Sequence, residues 1–199
     1  MNKKYLGTKY GGWTIDVDSI SDGDVIIDGG LGEDISFDIE LNKLKDINIV
    51  GIDPTTKSHK FIEGVNLPNL KLIKKAVGKV DGDRIKLYKN TNPNFVSEST
   101  TPSHTMVSNS DYHEVETVSI KTLITDYNPS LIKLDIEGSE YEVLSDCVGV
   151  KQICVEFHHN QISTITINDT MNKINMLKNN GYDIIHTTPN YQEVTFLKK

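Results

Sequence analysis

The chain has 199 residues, of which 28 are acidic and 21 are basic, so that its formal net charge is −7. Its composition, 37% hydrophobic and 25% charged, is typical of a soluble globular protein and argues against a disordered chain. The basic residues are scattered and outnumbered, which argues against an extended nucleic-acid surface. No run approaches the roughly 20 apolar residues that span a bilayer, so we expect no membrane partner.

The length predicts a single domain over residues 1–199, large enough to bury a core without crosslinks. Two lysines near the start, Lys3 and Lys4, are not followed by the apolar stretch of a signal peptide. The two cysteines, Cys147 and Cys154, have neither zinc-site nor redox-motif spacing, and we interpret them as reduced thiols. We therefore expect a cytoplasmic protein.

In the first half of the chain, short apolar runs alternate with segments of helical periodicity. Proline suits the first turn of a helix, so Pro54 is expected to open the second helix. The pattern predicts strands at residues 24–28, 47–53, 70–77 and 84–88, and helices at residues 33–45 and 54–63.

Residues 89–113 interrupt this alternation. They are rich in Asn, Ser, Thr and Pro and have no sustained apolar period. A segment of this length is more than a plain connection between elements. We interpret it as either a functional lid or a disordered insertion.

Regular elements resume at residue 115. The last two predicted strands are joined by a tight turn and must be antiparallel to each other. The pattern predicts an α/β fold with a mostly parallel seven-stranded sheet, helices on both faces and an antiparallel C-terminal hairpin. The predicted strands are residues 115–120, 130–135, 152–157, 182–186 and 193–197, and the helices are residues 121–127, 140–147 and 169–180.

The first candidate site is the turn Asp28-Gly-Gly-Leu-Gly32, which connects a predicted strand to a helix. Glycine permits φ > 0 and lets a ligand approach the backbone closely. Asp53, at the end of the next strand, is placed to accept hydrogen bonds from both ribose hydroxyls of a nucleoside. Open parallel sheets bind ligands at this edge. The alternative is a turn that merely closes a βα unit.

The residues after this turn discriminate between nucleotide ligands. The dinucleotide fingerprint requires a third glycine, and that position is Ile35 here. Glu33 and Asp34 at the helix start would repel a pyrophosphate, whereas they suit the sulfonium and ammonium groups of S-adenosylmethionine. The alternative is that both acids only complement the helix dipole.

The second candidate site is Asp135-Ile-Glu-Gly-Ser-Glu140, at the end of another predicted strand. Three carboxylates within six residues repel one another unless a cation or a hydrogen-bond donor stabilises them. We expect Asp135 and Glu137 to face the crevice, whereas the simpler interpretation of Glu140 is a solvent-facing acid at a helix start. His158, the first of two adjacent histidines at the next strand end, is a candidate base or ligand.

Six segments of the chain occur in the order found in a known family. They are residues 28–37, 51–54, 74–78, 118–124, 131–144 and 155–158, and Lys-x-Asp-x-Glu-Gly-x-Glu at residues 133–140 is the most distinctive. Over residues 23–160 the chain resembles the FkbM-type S-adenosylmethionine-dependent methyltransferases, which implies a Rossmann-like class I fold. The first loop departs from the commoner family form, Asp-x-Gly-Ala-Asn-x-Gly, and residues 89–113 match no family motif.

The resemblance implies where the cofactor lies. Gly30 and Gly32 would contact the methionine part, Asp53 the ribose, and Ala76 and Val77 would border the adenine. The predicted cofactor site comprises Asp28, Gly30, Gly32, Glu33, Asp53, Pro54, Ala76, Val77 and Asp135. The family also suggests a glycan or another polyhydroxylated small molecule as the methyl acceptor, selected by residues 89–113.

We therefore expect O-methyl transfer, which requires an aligned acceptor hydroxyl and a base for its proton. His158 or Asp135 is the candidate base, and Glu137 would orient the acceptor or a metal ion. A divalent metal is compatible with the charge pattern, although no ligand set has the spacing of a metal site. Two alternatives stay open. One is a nucleotide-dependent Rossmann oxidoreductase or sugar-modifying enzyme, for which the third glycine and a Tyr–Lys pair are missing; the other is an inactive S-adenosylmethionine-binding module.

Overall fold

The computed structural model describes all 199 residues, which form twelve strands and five α-helices. Seven strands form a central sheet, and the others form an N-terminal hairpin and a three-stranded sheet. In chain order the elements are β1 (Lys3–Leu6), β2 (Trp13–Asp16), β3 (Val25–Gly29), α1 (Ser36–Leu44), β4 (Asn48–Ile52), α2 (Thr56–Glu63), β5 (Leu70–Ile73), β6 (Ala76–Gly78), β7 (Arg84–Asn90), β8 (Val107–Ser119), α3 (Ile120–Tyr127), β9 (Leu131–Leu134), α4 (Glu140–Val143), β10 (Gln152–Glu156), α5 (Ile167–Asn179), β11 (Tyr182–Thr187) and β12 (Glu193–Lys198).

The central sheet has the strand order β11-β12-β10-β9-β3-β4-β5. Strand β12 is antiparallel to both of its neighbours, and every other pair in the sheet is parallel. This confirms the predicted mostly parallel seven-stranded sheet with an antiparallel C-terminal hairpin. The chain runs from β3 to β4 and β5 on one side, and β9 and β10 lie on the other. The order therefore reverses between β3 and β9, where a crevice opens beyond the carboxyl ends of the strands.

Both faces of the sheet are buried, which explains why its strands are continuous apolar runs. Ile26 and Ile27 are each completely buried although they point to opposite faces. Ile27 belongs to a core cluster that includes residues of α3 and α5. Ile26 belongs to a second cluster on the other face, with Phe37 of α1 and Ile15 of β2.

The antiparallel hairpin of β1 and β2 is an element that the sequence pattern does not predict. Trp13 and Ile15 of β2 are buried, at 3% and 0% exposure, in the second core cluster. Three of the four residues of β1 are exposed. A four-residue strand with one buried side chain carries too little apolar periodicity to be recognised.

The prediction of one strand over residues 70–77 is wrong, because the structure has two strands there. Strand β5 ends at Ile73, and the amide of Lys75 turns back to donate to the carbonyl oxygen of Ile73 at 3.0 Å. Strand β6 then pairs in parallel with β8, in the three-stranded sheet. The two lysines at the bend pair with Glu63 and Glu116, and they separate the apolar residues of β5 from those of β6.

The predicted strands at residues 84–88 and 115–120 are longer in the structure, where β7 continues to Asn90 and β8 begins at Val107. The prediction that residues 89–113 lack regular structure is therefore wrong at both ends. Most residues in the first half of β8 are exposed, so polar side chains occupy both of its faces and no alternation marks it. The remaining residues 91–106, named the strap here, form only isolated bridges.

Most predicted helices are present with shifted ends. Helix α2 begins at Thr56 and is capped by the Thr55 side chain, so Pro54 precedes the cap and does not open the helix as predicted. Helix α4 is a single turn that continues as a 3-10 helix over Leu144–Cys147. Helix α5 ends before Gly181, whose φ of +88° is the left-handed conformation expected after a helix. None of the helices combines the length and the apolar character needed to cross a bilayer.

The two cysteines lie in the core. Cys147 and Cys154 are free thiols and are completely buried. Burial raises the pKa of both thiols above the ordinary value. A thiol that stays protonated and buried is unreactive, as expected for a structural cysteine.

Candidate active site

A cavity of about 370 Å³ opens at the carboxyl edge of the central sheet, beyond the ends of β3, β4, β9 and β10. The turn between β1 and β2, strand β6 and the strap complete its wall. The volume is that of a small-molecule site. Two lysines but eight carboxylic acids line it, and the acids are Glu33, Asp34, Asp53, Glu98, Asp135, Glu137, Glu156 and Glu193.

The loop after β3 passes close to the chain that leaves β9. Gly30 has a φ of +86°, and a Cβ added there would lie 1.7 Å from the carbonyl oxygen of Asp135. Gly32 has a φ of +56°, and its amide donates to Asp53 Oδ2 at 2.9 Å. A Cβ at Gly32 would meet only Val96 of the strap, at 3.5 Å. Glycine is therefore required at residue 30 by packing, whereas residue 32 leaves the backbone open to a ligand.

Asp28, predicted as a cofactor contact, lies behind the cavity wall instead of lining it. Its Oδ1 is 2.7 Å from Nζ of Lys133, which also donates to the carbonyl oxygen of Gly30 at 3.2 Å. Burial lowers the pKa of Lys133, but Asp28 and Asp135 outweigh it and raise that pKa above the ordinary value. The Asp28 side chain is buried beneath the glycine loop and does not reach the cavity. It supports the loop indirectly, through the charged Lys133 that bonds the Gly30 carbonyl oxygen.

Asp53 is 4% exposed and is oriented by the protein itself. Its Oδ1 accepts hydrogen bonds from the Thr55 amide at 2.7 Å and the Thr55 hydroxyl at 2.6 Å, and its Oδ2 accepts one from Gly32. A carboxylate has about four acceptor sites, so roughly one is free for a ligand hydroxyl. Ala76 and Val77 of β6 lie in the same cavity wall, with only a few per cent of their surface exposed.

Glu98 of the strap is a half-buried acid in the cavity wall. Burial raises its pKa to about 7; Lys89 opposes this shift, and the charge of Asp53 reinforces it. His113 Nε2 lies 3.5 Å from Glu98 Oε2. The strap therefore adds a carboxyl group with a pKa of about 7 to the wall of the cavity near Asp53.

The turn from Asp135 to Glu140 is held by a strained backbone and a buried acid. Glu137 has a φ of +52°, and Gly138 has a φ of +112°. Glu140 is 0% exposed, so the expectation that it points to solvent is wrong. Its Oε2 accepts from the Gly138 amide at 2.8 Å, and its Oε1 accepts from the His158 amide at 3.1 Å. These donors, together with the His158 ring, compensate the burial of the carboxylate.

His158 lies behind the cavity wall and is 2% exposed. Its Nδ1 is 2.9 Å from Glu140 Oε1, which aims Nε2 at Asp135 Oδ1 (3.6 Å) and Glu137 Oε2 (3.4 Å). Burial lowers the pKa of His158, but Glu140, Glu137 and Asp135 outweigh it and raise that pKa well above its usual range. A protonated imidazole cannot accept a further proton, which argues against His158 as the base in the ligand-free protein.

Asp135 and Glu137 both line the cavity, as predicted, but differ in their surroundings. One third of the Asp135 side chain is exposed, and burial together with Glu156 raises its pKa well above the ordinary value. Glu137 is also buried, but His104 and His158 lower its pKa. His104 Nε2 lies 3.1 Å from Glu137 Oε2. Asp135 is therefore the more exposed of the two acids, at 33% against 20% for Glu137.

The strap crosses the cavity and is bonded on both sides. On one side, Lys57 of α2 donates to the carbonyl oxygen of Phe95 at 2.7 Å. On the other, the Ser99 hydroxyl donates to the carbonyl oxygen of Glu137 at 2.5 Å. The strap is therefore part of the cavity wall in this structure, and its function as a lid stays a prediction.

Residues 30–184 match the family model described as "Methyltransferase FkbM domain". The chain belongs to the FkbM methyltransferase family. A comparison with curated proteins finds no match.

Solved structures share the fold of this FkbM methyltransferase at low sequence identity. The fibrillarin pre-rRNA processing protein of Methanococcus jannaschii is 8% identical with a TM-score of 0.53, and the match covers 99% of this chain and 83% of that chain. A fibrillarin/Nop5p complex gives 10% identity, a TM-score of 0.50, and coverage of 90% and 74%. Precorrin-6y C5,15-methyltransferase from Geobacter metallireducens GS-15 gives 14% identity, a TM-score of 0.47, and coverage of 92% and 85%.

The FkbM methyltransferase is an S-adenosylmethionine-dependent enzyme of class I fold, and its cavity suits this cofactor. The excess of acids matches the cationic sulfonium and ammonium groups, and the open backbone at Gly32 allows close approach. Asp34 has a local role as well, because its Oδ1 accepts a hydrogen bond from the Ser36 amide at the start of α1. Of the predicted site residues, Gly30, Gly32, Glu33, Asp53, Pro54, Ala76, Val77, Asp135 and Glu137 line the cavity, and Asp28 and His158 lie behind it.

Several cavity residues of this FkbM methyltransferase are absent from the sequence-based site. Glu156 is the last residue of β10, just as Asp53 and Asp135 come directly after β4 and β9. The same pattern of an acid at a strand end could therefore have identified it. Glu98 lies in a segment without periodicity, and Glu193 begins a strand on the far side of a turn. No local signal marks those two.

Proposed function

We propose that this methyltransferase transfers the methyl group of S-adenosylmethionine to a hydroxyl oxygen of a glycan or another polyhydroxylated small molecule. The observation that carries the proposal is a group of four carboxylates on the β9, β10 and β12 side of the cavity, away from Asp53. Hydroxyl groups donate hydrogen bonds to carboxylates, whereas a phosphorylated acceptor would be repelled. The four acids are Asp135, Glu137, Glu156 and Glu193.

An aromatic ring stands at the same opening. Tyr10, in the turn between β1 and β2, lines the cavity although 81% of its surface is exposed. An exposed aromatic ring with a polar end offers an apolar face and a hydrogen-bonding tip to a ligand. This combination of a ring and carboxylates supports a sugar-like acceptor, which also has apolar ring faces and hydroxyl edges.

The three parts of the cofactor would be bound by different elements of the cavity wall. The backbone between Gly30 and Gly32 would hold the methionine part, and Asp53 would bind the ribose through its remaining acceptor site. Ala76 and Val77 would pack against the adenine. When bound, the cofactor supplies a sulfonium methyl group, to which the acceptor oxygen bonds as the carbon–sulfur bond breaks and leaves its electron pair on sulfur.

Asp135 is our candidate for the base that takes the hydroxyl proton. It lines the cavity beside the glycine loop, whereas His158 lies behind the wall with its Nδ1 directed at Glu140. Glu137, whose backbone is fixed by the strap, would orient the acceptor. Alignment and proton removal are the two contributions that the chain itself makes to the rate.

The test combines binding with product analysis. Calorimetry should detect S-adenosylhomocysteine binding, and a labelled donor should transfer its methyl group to neutral sugars in preference to sugar phosphates. Asp135→Asn should lower kcat by about a hundredfold or more. Glu142→Gln removes an exposed acid of α4 outside the cavity and serves as the control. Absence of S-adenosylhomocysteine binding, or transfer only to nitrogen or carbon acceptors, would refute the proposal.

A further inference from the structure

We propose that Asp135, Glu156 and His158 bind a divalent metal ion at the acceptor side of the cavity. One oxygen of each carboxylate and one ring nitrogen of the histidine all lie within 4.8 Å of one another. Ligand atoms at about 2.0–2.2 Å from an ion are separated by at most about 4.4 Å. Small side-chain movements would therefore bring all three atoms to coordination distance.

The orientation of His158 supports this site independently of the carboxylates. A metal-binding histidine usually donates its other ring N–H to a carboxylate, which fixes the tautomer and aims the free nitrogen. Here Nδ1 is 2.9 Å from Oε1 of Glu140, an acid with no exposed surface. Glu140 is itself held by two backbone amides, those of Gly138 and His158.

The other nitrogen of this ring has no hydrogen-bond partner. Nε2 of His158, a side chain that is 3% exposed, lies 3.6 Å from Asp135 Oδ1 and 3.4 Å from Glu137 Oε2, and neither contact is a hydrogen bond. With Nδ1 donating to Glu140, Nε2 faces two carboxylates and is aimed at the space between them. A divalent ion there would take the place of the Nε2 proton and coordinate the lone pair that the proton occupied.

The remaining neighbours leave room for such an ion. Glu156 uses Oε1 to accept a hydrogen bond from Gln192 at 3.0 Å, which leaves Oε2 for coordination. Glu137 Oε2 already lies 3.1 Å from His104 Nε2, so we do not count Glu137 among the metal ligands. The only lysine beside Asp135 is Lys133, which is committed to Asp28.

The donor set favours a transition ion that accepts both nitrogen and oxygen. One imidazole and two carboxylates form a mixed set that suits a transition ion better than Mg²⁺ or Ca²⁺, and Mn²⁺ is the probe because it also accepts carboxylate ligands and has a paramagnetic signal. No thiolate is available, because both cysteines are buried elsewhere in the core. Three protein ligands also leave coordination positions open, and two of the ligands, Asp135 and Glu156, face the cavity.

An open coordination position facing the cavity would give the ion a role in the reaction. This catalytic role rests on the proposed function. A metal-bound oxygen loses its proton more readily than a free one. An acceptor hydroxyl on the ion would lie at the end of β9, next to the glycine loop that approaches the Asp135 carbonyl. Asp135 could coordinate through one carboxylate oxygen and keep the other for the proton.

The experiment titrates Mn²⁺ into EDTA-treated protein and follows binding by calorimetry and by the electron paramagnetic resonance signal of the ion. We expect one Mn²⁺ per chain and a loss of affinity of at least tenfold in Glu156→Gln. Glu193→Gln is the matched control, because Glu193 pairs with Glu156 across the two strands and lines the same cavity. Its Mn²⁺ affinity should change less than threefold.

Three results would overturn the metal site. They are no Mn²⁺ binding, equal losses in the two glutamine variants, and a bound Mn²⁺ without the spectral coupling to nitrogen that His158 would produce. If thermal melting shows that His158→Gln is folded, loss of that coupling in this variant assigns the nitrogen ligand to His158. If His158→Gln does not fold, the test rests on Glu156→Gln. S-adenosylhomocysteine calorimetry in EDTA separates the hypotheses, since cofactor binding without Mn²⁺ binding refutes the metal site alone.

Discussion

Lys133 Nζ lies 2.7 Å from Asp28 Oδ1 beneath the glycine loop, and the two side chains are only 5% and 2% exposed. Asp38 of α1 is packed beside Asp28, and burial together with the Asp28 charge raises the pKa of Asp38 well above the ordinary value. Two buried acids therefore lie near one buried ammonium group, and only Asp28 is paired with it. Because the same ammonium group donates to the Gly30 carbonyl, the stability of the core and the shape of the glycine loop depend on one side chain.

The first prediction concerns this ion pair. Lys133→Met should lower the free energy of unfolding by about 3–5 kcal/mol, because it leaves Asp28 charged and unpaired in the interior. Adding Asp28→Asn should recover part of that loss, whereas Lys43→Met, at an exposed position of α1, should cost less than about 0.5 kcal/mol. Urea denaturation of the parent, Lys133→Met, Asp28→Asn, the double variant and the Lys43→Met control provides the measurement. Strictly additive losses in the double variant would mean that the pair is not coupled.

The second prediction separates backbone strain from packing at Gly30. Gly30 and Gly23 have nearly equal φ values, +86° and +88°, but a Cβ at Gly23 would meet no atom within 4 Å. Gly23→Ala should therefore cost only the strain of a left-handed alanine, about 1–2 kcal/mol. Gly30→Ala should cost at least about 3 kcal/mol more, because its methyl group meets the Asp135 carbonyl. Similar melting temperatures for the two variants would contradict this account.

The third prediction concerns Asp53 as the ribose-binding acid. Asp53→Asn should weaken S-adenosylhomocysteine binding by about 10- to 100-fold, because an amide offers one acceptor oxygen where the structure uses both. Asp34→Asn, a change of charge at another residue of the same cavity, should weaken binding less than about threefold. Calorimetry measures both affinities. Equal weakening would assign the effect to overall charge instead of a ribose contact.

The fourth prediction is a pH dependence of stability that arises from Glu98. Burial raises its pKa in the folded protein to about 7, above the ordinary glutamate value of about 4.5, so its contribution to stability is complete below pH 4.5 and is lost as the pH rises through 7. Asp53 and Asp111 raise this pKa, and Lys89 and Lys57 lower it.

Glu98→Gln should therefore remove this loss and leave the protein more stable than the parent at pH 8, by on the order of 1 kcal/mol given the partial exposure of the side chain. At pH 4.5 the two proteins should be nearly equal. Glu63→Gln, at an exposed acid of α2, is the control. Urea denaturation at both pH values decides the matter, and a parallel pH profile for parent and variant would rule Glu98 out as the source.

Part of the cavity edge could be predicted, because it follows from local pattern. Asp53 and Asp135 each come directly after an apolar strand, and parallel strands bring their carboxyl ends to one edge. Gly30 and Gly32 are recognisable for the same reason. Asp28 belongs to that strand pattern too, but its alternation places it in the packing beneath the loop, next to a lysine 105 residues away. Pairing at that sequence distance leaves no local trace.

The rest of the cavity depends on tertiary contacts that the sequence does not encode locally. Glu140 has the sequence context of a solvent-facing acid at a helix start, yet β10 brings His158 against it and buries it completely. Glu98 and Tyr10 reach the cavity from a strap and a hairpin turn whose composition is that of ordinary loops. Their positions are set by packing of the whole chain, so neither periodicity nor spacing identifies them.

The burial of both native thiols makes the strap open to direct observation. Phe95 is 50% exposed, and its carbonyl oxygen is the group that Lys57 binds. Phe95→Cys would therefore introduce the one thiol that a maleimide dye reaches in the folded protein. With no background labelling to subtract, the fluorescence of that dye in a stopped-flow mixing experiment would report whether the strap stays latched or swings aside each time a ligand enters and leaves.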